Sequence, residues 1–289
     1  MSEGERQARG PAGGLKGWAL YPALAWTAAF FVVPIAVMAM QSFWQRLGGK
    51  IVAAWTFANY AKFFERSYFL EALANSLEVT LIVTVVSILL AYPLAYVIAY
   101  RVPARWQRLM LMLVVLPFWT SYVIRSYSWL LVLSNNGVIN QALLGLGLID
   151  QPLVMSNTRG ATVLGFVHFF TMLLTLTIYA NLAQIKDSYR KAAADLGASS
   201  LQIFLRITLP LSLPGVAVGA FLTFVLAIGD YITPQILGGS RELLMPQAIM
   251  LQIGRRADFP MASALSMVLM VVVTAVFLAF ARRLRMDRV

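Results

Sequence analysis

The chain of 289 residues is 60% hydrophobic and only 12% charged, with a mean hydropathy of +0.75, whereas soluble domains carry about 25% charged residues. That balance excludes a soluble globular protein. Zero cysteines and a single histidine exclude disulfides, thiolate zinc sites, iron–sulfur ligation and a cysteine nucleophile, and the net charge of +11 has to be read from where the basic residues fall.

In chain order, a Gly-rich, charged leader (1–17) precedes an apolar window, Leu20–Phe43. The window is longer than a secretory h-region and has no small-residue cleavage site after it, so an uncleaved helix is expected. A mixed external segment (44–75) follows, in which Asn59–Phe64 predicts a short helix on the membrane surface. Five further windows come next: Ser76–Tyr100, Leu109–Leu133, Ala161–Gln184, Leu213–Leu237 and Met261–Ala281. Each is long enough to cross roughly 30 Å of hydrocarbon as a helix. A second mixed external segment spans 134–160. The expected fold is an all-α polytopic membrane protein of six transmembrane helices in one domain: leader 1–17, first helix 18–43, external segment 44–75, a five-helix core 76–281 containing a loop at 185–212, and a basic tail 282–289.

The basic residues are sorted by side. Arg6, Arg9, Lys16, Arg101, Arg105, Arg108, Lys186, Arg190, Lys191, Arg206, Arg282, Arg283, Arg285 and Arg288 fall on one side; Arg46, Lys50, Lys62, Arg66, Arg159, Arg241, Arg255 and Arg256 fall on the other. The excess places both termini in the cytoplasm. The high charge is therefore a topology signal, and no nucleic-acid partner is expected.

Ionisable residues inside spans are costly and mark function by default. Arg125 and Asp230 lie near the outer ends of the third and fifth windows, Glu78 at the outer entry of the second, and His168 about 10 Å below the outer end of the fourth. Two readings stand for this group. Arg125 and Asp230 pair to satisfy each other while Glu78 snorkels, or Glu78, Trp119, Tyr122, Arg125, Asp230 and Tyr231 line a translocation pathway or outer gate, with Trp119 and Tyr122 offering ring faces for cation–π contact. Trp129 reads as an interfacial belt residue and His168 as a hydrogen-bonded packing residue. Pro34, Pro93, Pro117 and Pro234 interrupt spans, each deleting a backbone hydrogen bond.

The loop from Lys186 to Pro210 splits into two short helices. The first carries the i,i+4 pairs Asp187–Lys191 and Lys191–Asp195 and ends at Gly197 in a left-handed conformation. The second opens with a capping box, Ser199 and Gln202, carries an apolar stripe of Leu201, Phe204 and Leu205, and is stopped by Pro210 and Pro214. A small-residue crest of this kind suits docking in a partner's groove. The run Ala192-Ala193, Gly197 and, after nine intervening residues, Ile207-Thr208-Leu209-Pro210 resembles the EAA loop of permease subunits of binding-protein-dependent ABC importers. Asn75-Ser76-Leu77, Leu116-Pro117-Phe118-Trp119-Thr120-Ser121, Gly229-Asp230-Tyr231-Ile232-Thr233-Pro234 and Gly238-Gly239 resemble the spermidine/putrescine branch of that family.

The resemblance implies the type I importer permease fold, in a bacterial inner (plasma) membrane. It implies a coupling site at Lys191, Ala192, Ala193, Asp195, Leu196, Gly197, Ala198 and Ser199, with Lys191 standing where the family has Glu. It also implies a second homologous permease chain, expected as a heterodimer, a pair of ATPase subunits and an external substrate-binding protein. No cofactor is expected on this chain, which lacks G-x-x-x-x-G-K-[ST]; ATP and magnesium belong to the partner ATPase. The substrate expected is a polyamine or similar organic cation.

Enzyme readings fail on residues. An aspartyl protease built on Gly229-Asp230 needs a second carboxylate close by, and Asp150 lies in an external loop. His-Glu-x-x-His and G-x-S-x-G are both missing, so no catalytic and no metal-ligating residues are assigned. The remaining alternative is a stand-alone ion-coupled secondary transporter.

Overall fold

The computed structural model describes residues 20–239 and 243–286; the leader 1–17, Arg241 and the last three residues lie outside the described residues. Among the described residues, five helices are long and apolar enough to span a membrane: α1 (Tyr21–Ser42), α3 (Ser67–Tyr100), α7 (Arg159–Leu182), α9 (Ser200–Gly229) and α12, whose apolar part is Phe259–Arg282. Between α1 and α3 lie a hairpin, β1 (Gln45–Leu47) and β2 (Lys50–Val52), and the short helix α2 (Ala58–Glu65). The hairpin turns on Gly48 and Gly49, both at positive φ, which the right-handed twist of a two-residue turn requires. Its strands were not among the expected elements; α2 was.

The third expected span is not one helix. Ala104–Trp119 (α4, its last turn a tight 3₁₀ coil from Leu116) and Tyr122–Gly145 (α5, Tyr122–Leu133, and α6, Val138–Gly145) meet at an 89° bend. Pro117 has no N–H to give Leu113, and Thr120 and Ser121 adopt extended backbone. Counting the bent pair as one span gives six. Because of the bend, depth counted along the chain at 1.5 Å per residue does not locate Arg125.

Two other expected boundaries move. The second helix starts at Ser67, not Ser76, and at 34 residues is about 51 Å long, well beyond the hydrocarbon thickness. The fifth starts at Ser200, runs through Pro210 and Pro214 instead of stopping at them, and ends at Gly229; α10 (Ile232–Leu237) is a separate turn of helix. A wide π turn at Phe204–Thr208 makes passage through Pro210 possible. The carbonyl that a proline ring meets belongs to the residue four before it, here Arg206, and the widened turn moves it aside. The same device recurs in α1, where the π turn Ala28–Val32 contains Phe30, four residues before Pro34.

The core is α3 packed on α7, with α9 across both. At one end Ala91, Ala95, Leu174, Ile178 and Leu182 are buried with Phe204 and Val216 against them. In the middle Val79, Val83, Phe166, Phe170 and Ala227 interlock. At the other end Phe69, Ala72, Met245, Ala248 and Leu265 join α3 to α11 (Met245–Gly254) and α12. A Cβ on Gly215 would come within 2.4 Å of Asn181 Cβ, and one on Gly219 within 2.6 Å of Thr177 Oγ1. The Gly215-x-x-x-Gly219 face is thus what lets α9 lie close on α7, as small residues do between helices in membranes. α1 packs on α12.

Candidate coupling loop and polar cluster

The two functional regions lie at opposite ends of α9. At its start the first helix of the loop, its closing turn and the cap that follows fold as the sequence predicts, while the second helix runs on into α9. α8 (Asp187–Asp195) closes in a Schellman turn: Ala198 N–H donates to Ala193 O (3.0 Å), Gly197 N–H to Ala194 O (2.9 Å), and Gly197 sits at φ +82°. Ser199 then caps α9, its hydroxyl accepting Gln202 N–H (3.3 Å) while Gln202 Oε1 accepts Ser199 N–H (2.8 Å). Lys191, Ala192, Asp195, Gly197 and Ser199 are exposed, Ala193 and Ala198 half-buried, and Leu196 is 89% exposed at the tip. An apolar side chain so bare at the apex of a polar loop is a knob without a hole.

The base of the loop is tied down. Arg190 stacks over the Tyr100 ring at 4.0 Å and approaches Asp187 at 3.4 Å, joining α8 to the end of α3. Phe204 packs edge-on against Tyr92 (5.8 Å) and Tyr96 (5.5 Å). Two expectations for this loop change. Lys191 pairs with Asp187 at 3.1 Å, while Asp195 has no ion pair among the described residues. The stripe Leu201, Phe204, Leu205 divides, with Phe204 turned inward against Tyr92 and Tyr96 and the two leucines exposed.

At the far end of α9, Asp230 stands just past the last helical residue. Its carboxylate accepts the Tyr122 hydroxyl, Ile232 N–H (2.8 Å) and Thr233 N–H (3.3 Å), and Thr233, 1% exposed, shares the Tyr122 hydroxyl at 2.5 Å. Asp230 thereby starts α10 and joins it to α5. Arg125 does not pair with it. The guanidinium donates to Pro117 O at 2.9 Å across the bend and lies over three rings, Phe169 (5.0 Å), Tyr122 (5.4 Å) and Phe118 (5.9 Å). A carbonyl at a broken helix end needs donors, and Pro117 O also receives the Thr120 hydroxyl at 2.8 Å. Tyr122, Phe169, Phe170, Val225, Leu226, Gly229 and Asp230 line an open groove of about 420 Å³.

The other candidates fall elsewhere. Glu78 is bound by Arg159 at 2.7 Å, its side chain 60% exposed. Trp119 is 78% exposed and faces a separate apolar cleft of about 570 Å³ with Met112, Leu116 and Tyr179; the cation–π contact expected of it goes to Phe118 and Phe169, because the bend follows directly on Trp119. Tyr231 is half-buried, and its side chain forms no hydrogen bond among the described residues. His168 packs as expected, accepting the Trp129 indole N–H at 3.1 Å, which gives Trp129 a role beyond the interfacial belt. Phe118, Phe169 and Thr233 were not anticipated. Thr233 was the most findable, since an Asp just before a short helix caps the backbone N–H groups two and three residues on.

The bundle has one sharply bent span and a helix–turn–helix at the start of α9. The structure is similar to a chain of a bacterial ABC transporter involved in the import of the acidic polysaccharide alginate, with a TM-score of 0.77 at 19% identity over 95% of this chain and 96% of that one. The chain belongs to the family of binding-protein-dependent transport system inner membrane components, whose pattern matches residues 79–286. It is 33% identical over 262 residues to the spermidine/putrescine transport system permease protein PotB of Salmonella typhimurium (strain SL1344), covering 90% of this chain and 91% of the relative. The PotB of Escherichia coli (strain K12) is also 33% identical over 262 residues, covering 90% and 94%. It is therefore a multi-pass inner-membrane permease subunit, and the departure at Lys191 lies within the matched region.

Proposed function

We propose that this chain forms half of the translocation pathway of an ATP-driven importer, with the α8 loop and both termini in the cytoplasm and the Asp230 cluster toward the outside. The observation that carries the reading is α9 itself. One continuous helix begins at the Ser199 cap of the loop and ends at the carboxylate that organises the opposite cluster. The basic side of the chain is the loop side, which supports the orientation.

In this scheme an external binding protein delivers the solute to the outer end, as suits a fold shared with an alginate transporter found in complex with a periplasmic protein. ATP and magnesium bind on separate ATPase subunits, whose closure pushes on Lys191–Ser199, with Leu196 inserting as the apolar knob. Arg190 passes the displacement to α3 through Tyr100, and the Ser199 cap passes it to α9. A second homologous permease completes the pathway, and the pair alternates between inward- and outward-facing states. A polyamine or similar organic cation is the favoured solute, on the strength of the relatives' names and of the Asp230 carboxylate beside the groove.

Reconstitution in liposomes with the partner permease, the ATPase and the binding protein tests this. Spermidine uptake should require ATP and the binding protein and should survive a protonophore. Uptake by the chain alone, driven by a proton gradient without ATP, would mean a secondary transporter.

A further inference from the structure

Arg125 is the unusual charge of this molecule. A guanidinium is always protonated and offers five N–H donors, yet here it makes one hydrogen bond, to Pro117 O, and has no carboxylate partner among the described residues. Its positive charge is met by aromatic faces contributed by three different elements, the last turn of α4, α5 and α7. The Tyr122 ring lies between the two charges of the cluster: one face toward Arg125, the hydroxyl donated to Asp230. A carboxylate that accepts this hydroxyl raises the electron density of the ring and so strengthens its hold on a cation.

Two of the three ring residues, Tyr122 and Phe169, and Asp230 also line the open groove of about 420 Å³. A cation in that groove is beside Asp230 and beside two of the three rings that hold Arg125. A primary ammonium is compact and carries three donors, so it can rest on the rings and hydrogen-bond to Asp230 together. Arg125 satisfies only the rings. The built-in cation is the poorer fit, and so it can be replaced.

We propose that Phe118, Tyr122 and Phe169 with Asp230 form a transient subsite for an alkylammonium group, which Arg125 fills as a tethered stand-in until the travelling cation displaces it. The inference rests on the importer reading above and adds to it a specificity element. With the subsite empty of solute, Arg125 repels other cations and keeps the groove closed to leak. When it is displaced, its bond to Pro117 O is released, so occupancy is felt at the 89° bend.

The test uses the assembled importer in nanodiscs, without nucleotide or binding protein, and putrescine as the probe. Arg125→Gln should bind putrescine about tenfold more tightly than wild type, as loss of a competing cation–π occupant predicts. Phe169→Leu on that background should abolish the gain, and glutamate should show no gain in either variant. In the unmodified complex labelled with nitrogen-15 arginine, the Arg125 ε N–H signal, assigned with Arg125→Lys, should lose its ring-current shift as putrescine is added. An unchanged putrescine affinity in a fully assembled Arg125→Gln complex overturns the proposal; if that variant fails to assemble, an immobile Arg125 signal at saturating putrescine overturns it instead. Should the wild-type importer move an anion and not putrescine, the cation reading of the solute has failed. Normal putrescine transport with no gain in Arg125→Gln removes this subsite alone.

Discussion

A carboxylate at the end of an apolar helix must find donors close at hand, and Asp230 takes all of its own from α5 and α10: the Tyr122 hydroxyl and two backbone N–H groups. That is why it does not reach for Arg125. Tyr122→Phe leaves the ring and removes a hydrogen bond to a charged acceptor, a loss of about 1.5–3 kcal/mol. The variant should show weaker uptake together with a lower unfolding midpoint, read by transport assay and thermal melt of the same preparation. The pair Trp129–His168 tests a purely structural contact. His168→Leu strands the indole N–H in the helix packing and should cost about 1–3 kcal/mol, with no change in the solute KM of the surviving protein. In the sequence these four polar residues could be listed but not paired. One of the two readings of the group paired Asp230 with Arg125, because opposite charges in a membrane need partners; the aromatic faces that hold Arg125 instead come from residues far apart in the chain.

Among the elements, α9 shows how local chemistry and packing divide the work. Its cap at Ser199 and the Schellman turn before it are set by near neighbours, so both were readable from residue types and spacing alone. At φ +82° Gly197 has open space around its Cβ position, so any side chain there strains the backbone without clashing inside the chain. Gly197→Asp should leave the bundle folded and ATP hydrolysis measurable while uptake falls sharply, checked by both rates in one set of proteoliposomes. Gly219 presents the converse case. Its backbone is ordinary, but an added Cβ meets Thr177 and the buried Leu174. Gly219→Val should cost about 1–3 kcal/mol through overpacking, seen as a lower melting point and poor recovery from the membrane. The passage of α9 through Pro210 was missed because a proline in a membrane helix reads as a stop, whereas a π turn placed before it lets the helix continue.

For the molecule as a whole, the consequence is a rod that links loop to cluster. Ser200 and Gly229 bound one helix about 44 Å long, and the chain has no native cysteine to confuse labelling. Spin labels on Ser200→Cys and Gly229→Cys should keep their separation when ATP binds to the assembled importer, while labels on Ser121→Cys and Gly229→Cys should change theirs as the bend responds; a rod that shortens or breaks would remove the mechanical link proposed here. Membrane class, number of apolar windows, the helix–turn–helix of the loop and its capping were all legible in the residues. Each depends on hydrophobic length or on contacts within a few positions, and such information is local in the chain. The 89° bend at Thr120–Ser121, the extension of α3 to Ser67, the ion pair of Glu78 with Arg159 and the aromatic box around Arg125 were decided only by packing. They depend on which helix faces meet, and in a bilayer that choice is made by close contact and the satisfaction of buried polar groups, because apolar surface alone gives one helix no preference for another over lipid.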